Sequence, residues 1–193
     1  MIRLTGIDPD THCLSFAYLD YDTERRKLVG LKVAVLKIAK GMTGKDAAQA
    51  MCQHPGLPEA VNRSGQYGAL VVEGQDSVYT GKTNTGLTRD LIYLALVAGA
   101  SMAMANQDTV YHPTPHQWKG SVPKHIHQCR TLNKAGIKYE MRGGKKPEAQ
   151  YPVPLQFERF CLQGNVNAGD WQDVNDAVGL ALWGLEKYLR ERK

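Results

Sequence analysis

The amino-acid sequence predicts a mixed α/β fold, with one sheet covered by helices on both faces. Two observations carry this prediction. Three apolar segments rich in β-branched residues follow one another within residues 3–40, and helical segments then alternate with short apolar runs through the rest of the chain. Strands in succession, followed by alternating helices and strands, are typical of a sheet whose first strands are antiparallel and whose later strands are parallel.

The first half of the chain predicts three antiparallel strands and two short helices. The first strand begins at Arg3 and ends at Asp8, and the next two are predicted over His12–Asp20 and Lys27–Lys40, with a polar turn between them. The alanine-rich segment Lys45–Gln53 favours a short helix. A further helical turn is predicted over Pro58–Arg63, after a loop imposed by proline.

The second half predicts parallel strands and longer helices. The continuous apolar run Ala69–Glu73 is typical of a central parallel strand that is buried on both faces. Leu87–Ala105 is predicted to be a long buried helix and Asp108–His112 a further strand. Two more helices are predicted, over Lys124–Ala135, which Gly136 ends, and over Asp173–Arg190, where apolar residues recur at helical spacing.

Length and composition predict one domain. The 193 residues suffice for a substantial core, so we expect a single domain over residues 1–193 with an irregular insertion around 136–169, in which Leu155–Leu162 is a candidate edge strand. The net charge of +5 is compatible with a polyanionic partner. The four cysteines form no Cys-x-x-Cys pair, and neither a secretion signal nor a membrane span is evident. These features predict a reduced, cytoplasmic protein.

Four acidic residues stand at the edges of hydrophobic elements that are far apart in sequence. Asp8 ends the first strand, Glu73 ends the buried strand, and Asp173 and Asp176 begin the last helix, where a spacing of three places them on one face. We therefore expect the four carboxylates to meet in one pocket. Each acid alone has a plainer explanation as a turn residue, a surface acid or a helix cap, and Asp170 is assigned to the last of these.

The same residues resemble the RuvC-type Holliday junction resolvases of the ribonuclease H-like superfamily, in particular phage-type members. The resemblance is carried by three motifs: Gly6-Ile7-Asp8-Pro9, Val71-Val72-Glu73 and Asp173-x-x-Asp176-Ala177. The chain departs from the pattern at Asp10, where the family usually has glycine. The resemblance implies a magnesium-dependent endodeoxyribonuclease that resolves four-way DNA junctions as a homodimer, in the cytoplasm of a bacterium or a phage-infected host.

Clustered carboxylates suit a pair of divalent cations. Two Mg²⁺ ions about 3.5 to 4 Å apart need several carboxylates, one of them bridging. Asp8 is the candidate bridge, Glu73 a ligand of one ion, and either or both of Asp173 and Asp176 ligands of the other, with Mn²⁺ as a substitute. The charges of the acids would otherwise repel one another and raise their pKa values.

Two segments are candidates for DNA contact. The loop residues Lys82, Thr83 and Asn84 lack the upstream glycine of a nucleotide-triphosphate loop but suit contact with a DNA backbone. In the other segment an aromatic residue lies among lysines, and its candidates are Trp118, Lys119 and Lys124. The resemblance adds a catalytic role for Lys124, which could stabilise developing charge.

Other classes of protein remain open on sequence alone. One alternative is a ribonuclease H-like nuclease that acts on RNA hybrids, flaps or forks, and another is a non-catalytic DNA-binding protein of the same fold. Sugar kinases and actin-like ATPases share the Gly-x-Asp start but need a second domain. A zinc site in the histidine-rich segment is disfavoured, because His125, His127 and Cys129 are spaced by two and scatter around a helix.

Overall fold

A computed structural model describes residues 1–63, 65, 68–74, 85–155, 160–162, 166 and 168–192. The strands are β1 (Ile2–Asp8), β2 (Cys13–Asp22), β3 (Lys27–Lys37), β4 (Gly68–Val72), β5 (Thr109–Tyr111), β6 (Tyr139–Gly143), β7 (Gln150–Pro154) and β8 (Phe160–Leu162). The helices are α1 (Gly44–Cys52), α2 (Leu57–Asn62), α3 (Thr85–Ala103), α4 (Pro115–Lys119), α5 (Lys124–Lys134) and α6 (Trp171–Glu191).

The main sheet confirms the predicted order of antiparallel and parallel strands. Over the described residues it has six strands in the order β5-β4-β1-β2-β3-β8. Strands β1, β2 and β3 pair antiparallel, whereas β4 pairs parallel with β1 and β5 parallel with β4. All five residues of β4 are buried, as expected for a strand covered on both faces. Strand β8 pairs parallel with β3 at the other edge.

Helices cover both faces of this sheet. Helices α5 and α6 pack on one face in a core that contains Leu4, Val71 and Leu180. Helices α1, α2 and α3 cover the opposite face, where Ile7, Phe16 and their neighbours are buried. No helix within the described ranges is long and apolar enough to cross a membrane. The fold is therefore a three-layer α/β arrangement, and α6 lies directly over the central strands.

Glycine allows α6 to approach the sheet closely. A Cβ atom added at Gly6 of β1 would lie 2.2 Å from the carbonyl oxygen of Ala177 and 2.6 Å from the amide nitrogen of Ala181. At Gly184 a Cβ would lie 2.3 Å from Cγ2 of Val71. Side chains at these positions would push helix and sheet apart. The close contact fixes where the first turns of α6 lie relative to the end of β1.

Replacement of Gly6 by alanine is expected to lower the free energy of unfolding by about 3 kcal/mol, since the obstructing atoms belong to the helix backbone and cannot rotate away. Gly99→Ala in α3 is the control, because no described atom lies within 4 Å of a Cβ at that position. That change should be neutral or stabilising by about 0.5–1 kcal/mol. Urea denaturation measures both. Equal stability of the two variants would contradict the close approach.

Two segments differ from the sequence expectations. In the part of the insertion that was expected to be irregular, β6 and β7 pair as an antiparallel hairpin. The short helix α4 was not predicted; Thr114 begins it with a capping box, in which its hydroxyl accepts from the Gln117 amide and the Gln117 side chain accepts from the Thr114 amide. Proline at the first helical position supports the same start.

Candidate active site

Asp8 and Glu73 lie side by side because their strands are parallel neighbours. Ile7 of β1 is in register with Val72 of β4, so the residues that follow each of them leave the sheet at the same edge. The amide of Glu73 donates to the carbonyl of Ile7 at 3.1 Å. The charge of Glu73 and a side-chain hydrogen bond with it both raise the pKa of Asp8, so the two carboxyl groups lie close together. Two carboxyl groups from distant parts of the chain are thus brought into contact.

Helix α6 delivers the other two acids to this edge. Ala177 of α6 lies against Gly6 of β1, and Gly6 precedes Asp8 by only two residues on that strand. Asp176 is almost fully buried, with 2 % of its surface exposed, whereas Asp173, one turn earlier, is partly exposed. The side chain of Asp170, expected to cap this helix, makes no cap hydrogen bond and instead pairs with Lys37 at 2.6 Å.

The electrostatics of Asp8 show that the four acids share one environment. Burial raises the pKa of Asp8 well above its ordinary value, and the negative charges of Asp176, Glu73 and Asp173 raise it further. Burial also raises the pKa of Asp173, although the nearby Lys124 ammonium opposes that effect. The structure therefore brings together the four carboxylates named from the sequence.

Two lysines oppose this negative charge. The ammonium of Lys124, the first residue of α5, lies 3.0 Å from Oδ2 of Asp176 and 3.8 Å from Oδ1 of Asp173. Burial lowers the pKa of Lys124, but attraction to Asp176 and the hydrogen bond with it outweigh that effect and leave the pKa above its usual value. Lys119, the last residue of α4, lies 3.6 Å from Oε1 of Glu73. Two of the three lysines predicted to contact DNA, Lys119 and Lys124, thus lie beside the acids.

Trp118, which the sequence predicts as a DNA contact, is largely buried. Only 7 % of its surface is exposed, and its indole nitrogen donates to Oε1 of Glu73 at 3.4 Å. The ring packs edge-to-face against His127, with centroids 4.8 Å apart. The Lys119 ammonium lies 5.0 Å from the Trp118 ring centroid. Trp118 therefore contacts both Glu73 and Lys119 and helps to hold their side chains in position.

Gln128 is a site residue that the sequence reasoning missed. It is 1 % exposed, and its amide donates to Oδ1 of Asp176 at 2.9 Å and to the carbonyl of Gln172 at 2.8 Å. These bonds fix the Asp176 carboxylate between α5 and α6. The available signal was helical spacing, since Gln128 follows Lys124 by four residues and so lies on the same face of α5.

The donor set suits a hard divalent cation. Four carboxylates and no sulfur ligand match the oxygen preference of Mg²⁺. Among the described residues, no three acidic, histidine or cysteine side chains are arranged so that together they could hold a metal ion. The Lys124 ammonium instead lies between Asp173 and Asp176. The residues fit a metal in their chemistry, and the roles of Asp8, Glu73, Asp173 and Asp176 as ligands remain predictions.

The remaining predicted contacts, Lys82, Thr83 and Asn84, lie outside the described residues. Of the histidine-rich segment, His127 packs on Trp118 rather than joining its neighbours in a metal site. The arrangement of three antiparallel strands followed by parallel strands, with acids at the ends of β1 and β4 and on α6, is that of the ribonuclease H-like fold, as the sequence predicted.

Comparison with known proteins supports this fold assignment. No family model matches the chain, and no curated protein matches it. Among solved structures, RuvC of Thermus thermophilus in complex with a Holliday junction substrate aligns with a TM-score of 0.55 and 16% identity, over 98% of this chain and 96% of that one. A second RuvC structure from Thermus thermophilus aligns with a TM-score of 0.53 and 16% identity, over 99% and 97%. The chain therefore has the fold of RuvC along almost its whole length.

Proposed function

We propose that this protein is a metal-dependent endonuclease that cuts branched DNA, with the four-way junction as its preferred substrate. The observation that carries the proposal is the convergence of Asp8, Glu73, Asp173 and Asp176 at one edge of the sheet, with Lys119 and Lys124 beside them. The fold agrees with this reading, because a solved RuvC structure that shares it is bound to a Holliday junction substrate.

The four carboxylates would hold two Mg²⁺ ions, for which Mn²⁺ could substitute. Bound divalent ions supply an activated water and stabilise the leaving oxygen in phosphodiester hydrolysis. Asp8 is the best candidate for a shared ligand, because it is the acid whose charge interacts with all three others. Lys119 and Lys124 place positive charge beside an otherwise acidic edge, which favours the approach of a DNA phosphate.

A homodimer would match the symmetry of a four-way junction, and α3 offers a surface for it. Ile92 and Leu96 are each 55% exposed, and Ala95 and Ala103 are exposed on the same side of the helix. An exposed apolar stripe of this kind on a helix surface suits contact with a second copy of the chain. Pairing of two copies about a two-fold axis would present two acid clusters to two strands of one junction.

Substitution of Leu96 by glutamate is therefore expected to convert a dimer to a monomer, because it places two charges in the apolar interface of a two-fold dimer. Size-exclusion chromatography with light scattering measures the mass. Leu155→Glu is the matched control, since Leu155 is 53% exposed but lies outside α3, and it should leave the dimer intact. A wild-type monomer, or a dimer unaffected by Leu96→Glu, would contradict this interface.

A cleavage assay on a panel of substrates tests the proposed function. Four-way junction, replication fork, RNA–DNA hybrid and linear duplex are compared in the presence of Mg²⁺ or Mn²⁺. The junction should be cut fastest, on two strands related by symmetry. Preference for the hybrid or the fork would favour a nuclease of the same fold with another substrate. Junction binding without any cleavage would indicate a non-catalytic DNA-binding protein.

A further inference from the structure

We propose that the groove between α5 and α6 binds an unpaired segment of a nucleic-acid strand by stacking one base and contacting its phosphate. This groove lies beside the acid cluster and is distinct from it. The inference deepens the proposed function, on which it rests for the identity of the natural ligand as DNA. The binding itself requires neither a metal ion nor cleavage.

The groove is lined by one face of each helix and has a volume of about 190 Å³. Residues of α5 recur at intervals of three or four along one wall, and residues of α6 do the same along the other. Its lining residues are Trp118, His127, Arg130, Thr131, Lys134, Gly179, Leu182, Trp183 and Glu186. The volume is below the roughly 300–1,000 Å³ of sites for drug-sized ligands, so it suits a single base-sized group.

Gly179 forms the floor at the end nearest the acids. A Cβ there would lie 2.5 Å from Cζ3 of Trp118 and 3.3 Å from Oγ1 of Thr131, so only glycine leaves α6 this close to its neighbours. Trp118 connects the groove to the acid cluster, because the same indole that lines the groove donates to Glu73. A strand that occupies the groove would therefore run toward Glu73.

The charge of the groove favours an anion. Arg130 is exposed on the α5 wall, and Lys134 follows one turn later. The acid on the opposite wall, Glu186, pairs with Lys134, which leaves Arg130 as the positive charge in excess. Burial lowers the pKa of His127, which therefore adds aromatic surface rather than charge at neutral pH.

Aromatic and cationic side chains continue beyond the groove along α6. Trp183 also lines a second small pocket with Lys187, Arg190 and Glu191, in which Glu191 pairs with Lys187 at 3.4 Å and Arg190 adds a further positive charge. The Lys187 ammonium lies 5.7 Å from the Trp183 ring centroid and 5.5 Å from that of Tyr111. Sites for single-stranded nucleic acid combine aromatic rings that stack on bases with cations that follow the phosphates.

Fluorescence anisotropy with a short labelled oligothymidylate tests the proposal, in EDTA so that no metal-dependent cleavage occurs. Arg130→Ala and Trp183→Ala should each weaken binding about tenfold, whereas Trp183→Phe should retain most of the affinity. The control is Lys45→Ala, which removes an exposed lysine from α1 on the opposite face of the sheet and should have no effect. An abasic oligomer of equal length should bind the wild type about as weakly as the oligothymidylate binds Trp183→Ala.

Wild-type affinity in both Arg130→Ala and Trp183→Ala would overturn the proposal, as would equal affinity for the abasic and the normal oligomer. If Trp183→Ala does not fold, Arg130→Ala, which should bind more weakly, and Trp183→Phe, which should retain most of the affinity, still test the proposal. The outcome is independent of the nuclease assignment. Groove-dependent oligomer binding by a protein that cuts no junction would refute the proposed function alone, and junction cutting without groove-dependent binding would refute this inference alone.

Discussion

Replacement of Asp8 by asparagine is expected to abolish metal-dependent cleavage and, in EDTA, to make the protein more stable. Loss of an outer-shell partner of a metal ligand already costs about 10–100-fold in affinity or activity, so loss of the central carboxylate should exceed about 100-fold. Stability should rise because the substitution removes a half-buried charge that Asp176, Glu73 and Asp173 all repel. Junction cleavage and thermal unfolding in EDTA measure the two effects.

The same charge gives the wild type a pH dependence that the variant lacks. The folded-state pKa of Asp8 lies well above its ordinary value of 3.8, so the folded protein binds this proton more tightly than the unfolded chain does. The contribution of Asp8 to stability in EDTA should therefore increase as pH falls from the raised pKa toward about 3.8, and be lost as pH rises through the raised pKa.

Asp10→Asn is the matched control for Asp8→Asn. Asp10 is exposed two residues further along the chain, and its Oδ1 accepts from the amide of His12 at 2.7 Å, a bond that asparagine retains. This variant should cleave and unfold like the wild type. Undiminished cleavage by Asp8→Asn would show that the active site lies elsewhere, and unchanged stability in EDTA would show that the four charges do not interact as described.

Replacement of Lys124 by methionine should lower the rate of cleavage at saturating Mg²⁺ by about 100-fold, the cost of losing one preorganised charged donor. It should also lower the concentration of Mg²⁺ needed for half-maximal activity. The second effect is expected because the Lys124 ammonium lies 3.0 Å from Asp176 and competes with a cation for that carboxylate. Rates measured over a series of Mg²⁺ concentrations separate the two effects.

Lys45→Met provides the control for Lys124→Met, because Lys45 also lies in the first turn of a helix but on the other face of the sheet. Neither the rate nor the Mg²⁺ requirement should change in that variant. A Lys124 variant that needs more Mg²⁺ than the wild type would contradict competition, and one with the wild-type rate would remove Lys124 from catalysis.

The acid cluster could be predicted because each of its members follows from a local rule. Asp8 and Glu73 end apolar strands, and the carboxyl ends of neighbouring parallel strands meet at one edge. Asp173 and Asp176 lie three apart at the start of an amphipathic helix. Residues that support the acids could not be predicted in this way. Gln128 and Trp118 are identified as supporting residues by their contacts with Asp176 across α5–α6 and with Glu73 at the end of β4. The helical pattern of a sequence shows which residues share one face of a helix, but not which element packs against that face.

The hairpin β6–β7 shows how local signals mislead. Pro152 and Pro154 argue against a strand, yet both pair with β6, opposite Met141 and Tyr139. Proline is tolerated there because β7 has a strand partner on only one side within the described residues. Gly143, the last residue of β6, hides the pairing in the same way, because it pairs with Gln150 while its φ of 114° favours glycine. Cross-strand partners, unlike periodicity, cannot be read from one segment.

The glycine contacts of α6 give the candidate site two sides that differ in mobility. The side that carries the acids is fixed against the sheet, and the side that carries the lysines can adjust. Gly6 and Gly184 hold the acid-bearing helix against the sheet through backbone and buried side-chain atoms, so it cannot slide without a collision. The lysines stand on α4 and α5 and touch the acids only through long, rotatable side chains. Accommodation of a bulky branched substrate would thus have to come from the cationic side, while the carboxylates stay in place.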